Sequence, residues 1–515
     1  MTEFTNSKFN KWFDTEHLSG NLKAHSIRGG MNTIIGQVAS FAMNISSTII
    51  MARLLTPGDY GLVAMVTTVT GFITIFKDMG LSAAIIQRKQ LFQDQVSAVF
   101  WINILVSLGL ASIIALIAPL LVIFYDEERV FNMTIVFAAS IFFSGLSLQH
   151  NALMKRQMKF KSLSKIQVLS TILSLATGII LAWQGFGYWS IVAVAVTNPI
   201  YSTIALWIVC DWRPNLTFKS KGIKSIITFG AGLTGFDFVN YFSRNLDNVL
   251  IGKFVGASAL GMYSKAYQLL LLPITQLRDP LNAVALPALS SLQHEKWKYN
   301  SYFTRYLFTL AFFSMPIVAF FAIYSDEIVS IVLGSKWIGV SSIFKLLAIA
   351  AFIQPIASTQ GLILITTGKS KKYFTLGIIN TSVVVTGFCI GVNWGVIGVA
   401  ISYSIVTYLL FIPLLYYCLK DSPVTVKQFL LQIIYPSLFS IVSGLFMFSY
   451  KYFVVDLPPL VTCGIGFFIG ASVYLSLWFT SRFTRTKLEK IRDISSFASK
   501  DFKGNAVDTK NFNGE

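Results

Sequence analysis

The sequence predicts an all-α integral membrane protein of about 14 transmembrane helices, built as two parallel six-helix lobes followed by two C-terminal helices. Three observations lead there: a composition too apolar for a water-facing surface, long apolar runs at regular intervals, and cationic charge that alternates between the segments joining them. Of 515 residues, 54% are hydrophobic and 12% charged, whereas a soluble globular chain carries roughly 25% charged residues. That shortage of polar side chains excludes soluble, disordered and disulfide-scaffold classes.

A helix needs about 20 apolar residues to cross a bilayer. Fourteen runs meet that need: 31–53, 61–86, 96–124, 131–154, 164–184, 187–210, 226–250, 258–290, 301–324, 343–367, 373–393, 395–418, 429–451 and 459–481. Several exceed one crossing, so tilt or extension beyond the bilayer is expected. An even number places both termini on one side. The cations choose that side: 28 Lys and Arg fall in terminal-side segments and 8 in opposite-side segments, leaving out three distal tail lysines. The positive-inside rule then puts both termini in the cytoplasm.

The net charge of +18 lies in short clusters between apolar runs, the pattern of loops on an anionic leaflet, so nucleic acid is not an expected partner. Residues 1–30 are polar, so no cleavable signal peptide is expected. Cys210, Cys389, Cys418 and Cys463 are widely spaced, without a C-x-x-C pair, and read as small apolar side chains. His17, His25, His150 and His294 are scattered, and His150 reads as packing. Neither H-E-x-x-H nor G-x-x-x-x-G-K-[ST] is present, so no catalytic residue, metal site, cofactor or nucleotide motor is expected. Energy, if needed, comes from an ion gradient or the membrane potential.

An internal repeat is visible. At an offset of 200, Arg53-Leu54-Leu55 falls on Lys253-Phe254-Val255, Gly61 on Gly261, and Phe124-Tyr125-Asp126-Glu127 on Tyr324-Ser325-Asp326-Glu327. At 201, Lys77-Asp78 falls on Arg278-Asp279, and Gly185 matches Gly395 at the corresponding turn. Six runs separate the copies, so both have the same orientation. The division that follows is a cytoplasmic N-terminal segment (1–30), an N-lobe (31–210), a cytoplasmic linker (211–225), a C-lobe (226–418), two further spans (429–481) and a cytoplasmic tail (482–515). Parallel repeats of this kind form transporters in which one lobe rocks against the other.

Residues 52–65 (ARLLTPGDYGLVAM), 78–88 (DMGLSAAIIQR) and 242–273 (FSRNLDNVLIGKFVGASALGMYSKAYQLLLLP) resemble the Wzx-type polysaccharide flippases. These belong to the multidrug/oligosaccharidyl-lipid/polysaccharide export superfamily, and the likeness is to the lipopolysaccharide and colanic-acid branch. It covers roughly residues 20–420 and leaves the last two spans aside. The resemblance implies an inner-membrane protein, not an enzyme, that moves undecaprenyl-diphosphate-linked oligosaccharide to the periplasmic leaflet for surface polysaccharide synthesis. The partners implied are that lipid-linked substrate, membrane lipid, and a polysaccharide polymerase and glycosyltransferases. Two alternatives stand beside it: an ion-coupled drug/cation antiporter of the same superfamily, and a polytopic glycan polymerase or glycosyltransferase. An antiporter favours an acidic cavity. An enzyme calls for a sizeable outer loop with catalytic residues, and the longest outer loop here has only about 20 residues.

A diphosphate-linked glycan needs a hydrated, cationic path, and charge inside spans is costly enough to mark it. The substrate-binding candidates are Arg244, Arg53, Lys253, Lys265, Arg278 and Lys345. Arg244, with its bidentate fork, leads them; interfacial anchoring is the alternative for Arg244, Arg53, Lys253 and Lys265. Asp237 and Asp247 are ion-coupling candidates. Asp237 lies about 11 residues into its helix, roughly 16 Å deep and near the midplane of a ~30 Å core. Lys77, Asp78 and Asp279 are candidates for a gate or clamp. Sequence neighbours do not face each other on a helix, so each charge in Lys77-Asp78 and Arg278-Asp279 is expected to find a partner on another helix. Pro273, Pro280 and Pro287 recur every seven residues and suggest a bent gating helix, with packing as the alternative. Some of the 20 tyrosines are candidates to stack on sugars, but the sequence does not single them out.

Overall fold

The computed structural model describes residues 12–14, 22–78, 80–88, 91–217, 241, 245–453, 457–480 and 484–485. Among them every regular element is helical. In chain order these are α1 Leu22–Leu54, α2 Pro57–Thr74, α3 Leu81–Gln87, α4 Gln93–Tyr125, α5 Arg129–Gly145, α6 Leu148–Arg156, α7 Phe160–Trp183 and α8 Tyr188–Val209. Then come α9 (245–254), α10 Ala257–Ser291, α11 Lys296–Ile323, α12 Ser325–Val332, α13 Gly339–Thr366, α14 Ser370–Gly391, α15 Gly395–Leu419, α16 Val426–Phe453 and α17 Pro459–Phe479.

Among the described residues, 9 helical stretches are long and apolar enough to cross a membrane. One of them, the 50-residue stretch Ser370–Leu419, contains the pair α14 and α15. The long helices α1, α2 and α10 fall outside that set. They coincide with predicted runs but carry polar residues along their length, such as Thr67, Thr68 and Thr70 on α2 and Lys265, Gln268 and Arg278 on α10. In a membrane such helices must turn that polar stripe to protein or water rather than lipid. Most of the seventh predicted run lies outside the described residues.

The chain divides into two compact units: Met1–Ser264 with Val332–Lys336, and Lys265–Ile331 with Trp337–Glu515. In the first, α2 begins with a capping box in which Thr56 accepts from the Asp59 amide while its own amide donates to the Asp59 carboxylate at 2.8 Å. Pro57 follows at the first helical position, where its missing donor costs nothing. That start lets α2 cross the start of α10 closely. A Cβ on Gly61 would stand 1.7 Å from the Ala257 carbonyl oxygen, and one on Gly261 would stand 1.8 Å from that of Pro57. The contact is reciprocal at an offset of 200, so the glycine match in the sequence repeat is a two-fold-related helix crossing. Gly252 of α9 packs on Tyr125 and Met65, and the Lys336 ammonium donates to the Arg53 and Leu54 carbonyls at the end of α1.

The repeat also shows in paired hairpins. Gly178 of α7 packs on Val194 of α8, and Gly387 of α14 on Val406 of α15. Gly185 and Gly395, in the two connecting turns, both have positive φ.

In the first unit, Trp12 and Phe13 of the N-terminal segment are buried with Leu81, Ile85, Leu153 and Trp212. Trp12 donates to Asp211 at 2.6 Å, and the Lys159 ammonium lies 3.8 Å from its ring centre. The buried Arg156 guanidinium donates to the Phe13 carbonyl at 3.2 Å and to those of Ile85, Ile86 and Arg88 at the end of α3, where a cation also meets the negative end of the helix dipole. Residues 211–217, read from sequence as linker, are fixed too. Trp212 is buried, and Trp101 donates to the Asn215 carbonyl at 2.8 Å.

In the second unit α11 is the central strut, with Phe303, Leu307 and Leu310 buried against Phe411, Phe429 and Ile433. The two C-terminal helices dock through an aromatic seam of Phe308, Phe312, Tyr474 and Trp478. An ion cluster adds to it: Lys451 reaches Glu327 at 2.8 Å and Asp326 at 3.2 Å, and Lys345 reaches Asp326 at 2.7 Å. Burial pushes the Asp326 carboxyl up, but bonds from Lys345 and Ser341 and the charge of both lysines outweigh it, holding the group below the usual carboxylate range.

Candidate functional site

α10 carries one charged pair of the second unit. Arg278 donates through Nε and Nη2 to Asp279 Oδ1, at 3.0 and 2.9 Å. This corrects the expectation that each charge of the pair finds a partner on another helix. The guanidinium arm is long enough to fold back along its own helix surface, a reach that backbone periodicity ignores. Asp279 remains 62% exposed against 21% for Arg278, so the carboxylate side of the pair is open. One turn further on, Tyr306 of α11 donates to the Asn282 side chain. This polar contact had no signal in the sequence beyond residue type.

Lys77-Asp78 is built differently. The chain leaves helix at residues 75–78 and re-enters at α3, whereas α10 runs unbroken through the equivalent stretch. Asp78 accepts from the Ser82 amide and hydroxyl, at 3.2 and 2.6 Å, so it holds the start of α3. Lys77 reaches α5 and donates to Ser144 at 3.1 Å. Lys77 thus does meet another helix, while Asp78 bonds locally.

The other cations are dispersed. Arg53 is exposed at the end of α1. Lys253 is exposed, its ammonium 5.4 Å from the centre of the Phe124 ring. Lys265 is instead buried, donating to Gln268 at 2.9 Å, and Lys345 is held by Asp326. Asp247 is buried; its carboxylate accepts from Tyr263 and from the Asn248 amide, both at 2.8 Å. Arg244 and Asp237 lie outside the described residues. Pro273 is half-buried, Pro280 and Pro287 are exposed, and the α10 helix continues unbroken past all three. His150 is buried and stacked on Trp207 with centroids 4.6 Å apart, the packing role the sequence suggested. Among the described residues no three His, Cys, Asp or Glu side chains gather as a metal site.

Residues 50–342 match the polysaccharide biosynthesis protein family. The chain belongs to that family. Among the most similar relatives of this family member is the teichuronic acid biosynthesis protein TuaB of Bacillus subtilis (strain 168), 28% identical over 393 residues, covering 74% of this chain and 79% of TuaB. The lipopolysaccharide biosynthesis protein WzxC of Escherichia coli (strain K12) is 20% identical over 393 residues, covering 75% and 79%. Of solved structures, the lipid II flippase MurJ in an inward closed conformation superposes with a TM-score of 0.71 at 17% identity, covering 88% of this chain and 99% of MurJ. An inward-facing multidrug resistance MATE transporter gives 0.57 at 15% identity, over 74% and 96%. This polysaccharide biosynthesis protein therefore has the MurJ/MATE fold, with 9 helical stretches among the described residues long and apolar enough to cross a membrane.

Proposed function

We propose that this chain carries undecaprenyl-diphosphate-linked oligosaccharide from the cytoplasmic to the periplasmic leaflet of the bacterial inner membrane by alternating access. The observation that carries this reading is family membership in polysaccharide biosynthesis combined with the fold of a lipid II flippase over 99% of that flippase's length. The topology proposed is 14 spans with both termini cytoplasmic, supported by the 28-to-8 cation asymmetry.

In this reading Arg278 meets the diphosphate. Its guanidinium already turns two N–H donors to one oxygen of a mostly exposed carboxylate, and a diphosphate offers more oxygens and more charge to the same donors. Asp279 then holds the empty site neutral and yields to substrate. Arg244 is the second cation of the path. Asp247, enclosed by Tyr263, and Asp237 are the acids proposed for coupling to a cation gradient. The crossing of α2 and α10 at Gly61 and Gly261 is the outer gate, whose helix ends must part before substrate leaves.

The test is deletion of the gene and analysis of the lipid-linked glycan pool. The expected result is accumulation of a complete oligosaccharide on its prenyl diphosphate in the cytoplasmic leaflet. The wild-type gene should restore export, and Arg278→Ala, at equal membrane abundance, should restore less than a tenth of it. An unchanged lipid-linked pool in the deletion strain would contradict the proposal.

A further inference from the structure

Within the second unit, the first turns of α11 and α16 flank an open cleft of about 500 Å³, inside the roughly 300–1,000 Å³ of ordinary ligand sites. Its α11 wall includes Lys296, Trp297, Asn300 and Ser301, and its opposite wall is Pro423 and Gln428. The base of the cleft is rigid. The Asn300 amide donates to the Pro423 carbonyl at 2.8 Å and to the Gln428 side-chain oxygen at 2.7 Å. Gln428 also completes a capping box: its side-chain oxygen accepts from the Thr425 amide at 3.0 Å, and the Thr425 hydroxyl accepts from the Gln428 amide at 3.3 Å. Beneath these bonds Phe303 and Phe429 are fully buried, with ring centres 6.2 Å apart.

The lining offers donors and positive charge. With its oxygen committed to Asn300 and Thr425, the Gln428 side chain keeps its amide N–H groups for the cleft, beside the Lys296 ammonium and the Ser301 hydroxyl. No carboxylate lines the cleft. The nearby acids are already engaged, Glu295 by Lys298 at 2.6 Å and Asp421 by Lys372. Lys296 makes no ion pair among the described residues. Nor does it serve helix stability, because it stands in the first turn of α11, where a cation meets the positive end of the helix dipole. An exposed cation held there beside neutral donors selects an anion.

The position of the cleft says which anion. Trp297 is 80% exposed and stands one turn before the apolar run 301–324, the place of an indole at the membrane–water boundary. Lys420 and Lys427 flank the loop that carries Pro423, and a basic pocket between spans at that boundary attracts anionic headgroups. From less than two turns beyond Gln428, Ile434, Leu438 and Ile441 lie along α16, 47%, 50% and 51% exposed. At that spacing they form one apolar stripe, a track for an acyl chain. A zwitterionic headgroup would instead bring its own ammonium against Lys296.

We propose that this cleft binds the phosphate headgroup of an anionic phospholipid, with an acyl chain along the Ile434–Leu438–Ile441 stripe. In the topology proposed above the lipid belongs to the cytoplasmic leaflet; the binding itself does not depend on the flippase reading. The test uses the full-length protein, delipidated in detergent, with phosphatidylglycerol as probe, phosphatidylcholine as the zwitterionic comparison and inorganic phosphate as the free anion. Native mass spectrometry reads the lipid retained, and the rise of the thermal midpoint with lipid concentration reads affinity. Wild type should bind phosphatidylglycerol at least tenfold more tightly than phosphatidylcholine. Lys296→Gln should weaken phosphatidylglycerol severalfold. Gln428→Glu keeps the capping box, which accepts either residue, but puts a negative charge where an amide donated. The Lys296→Gln/Gln428→Glu pair should therefore bind at least tenfold more weakly, with a lipid-free midpoint equal to wild type. Lys296→Gln changes one exposed side chain, so its result stands whatever the pair does to folding. Lys427→Gln, a neighbouring cation outside the lining, should bind as wild type does. Wild-type affinity in Lys296→Gln, or an equal loss in Lys427→Gln, would assign the binding to general surface charge and overturn the site. Displacement of the lipid by millimolar inorganic phosphate would make it a free-anion site and overturn the phospholipid.

Discussion

Gly61→Ala and Gly261→Ala are each expected to abolish polysaccharide export. The new Cβ would meet a backbone carbonyl oxygen of the facing helix at 1.7 or 1.8 Å, and no rotamer change can relieve a backbone clash. The helix ends must move apart by roughly 1.5 Å to restore van der Waals contact, at an overpacking cost of about 1–3 kcal/mol. In the proposed mechanism that cost falls on the closed outer gate. Gly109→Ala and Gly377→Ala serve as controls: nothing lies within 4 Å of either position, and alanine is the better helix former. The gate can be read directly through a Gly58→Cys/Ser258→Cys pair, since a Cβ on Gly58 lies 3.3 Å from the Ser258 hydroxyl. Oxidation should cross-link this pair and stop export, reductant should restore it, and adding Gly61→Ala should lower the cross-linking yield. Full export by Gly61→Ala with an unchanged yield would contradict the crossing's role.

The second large effect is expected at Arg156. Its guanidinium is enclosed and satisfies the carbonyls of Phe13, Ile85, Ile86 and Arg88. Arg156→Ala strands several of these in a buried site, where each orphaned group costs about 1–3 kcal/mol. A loss of about 3 kcal/mol or more follows, read as a thermal midpoint several degrees lower in detergent and reduced membrane abundance. Arg156→Lys should recover only part, because one ammonium cannot reach carbonyls on both segments in the planar geometry a guanidinium provides. An unchanged midpoint in Arg156→Ala would show that the N-terminal segment and the end of α3 are held by apolar packing alone.

The fold was legible because hydrocarbon thickness imposes one length on every crossing helix. The apolar runs 96–124 and 429–451 sit inside α4 and α16, the run 301–324 ends one residue past α11, and the repeat match of Gly61 with Gly261 proved to be a physical contact. What sequence could not give was tertiary reach. Arg278 folding onto Asp279 depends on side-chain length, and the burial of Trp12 under Lys159 depends on a partner about 150 residues away. Pro273, Pro280 and Pro287 carry a helix-breaking signal that membrane helices tolerate, so α10 runs on past them.

The central claim is movement of a lipid-linked glycan between leaflets, and proteoliposomes measure it directly. Lipid-linked oligosaccharide from the deletion strain is placed in the outer leaflet, and its glycan is assayed over time for protection from an impermeant lectin. Wild-type protein should make the glycan inaccessible far faster than protein-free vesicles do, and Arg278→Ala should slow that transfer at least tenfold. Equal accessibility with and without wild-type protein, under an imposed proton or sodium gradient of either direction, would contradict the account.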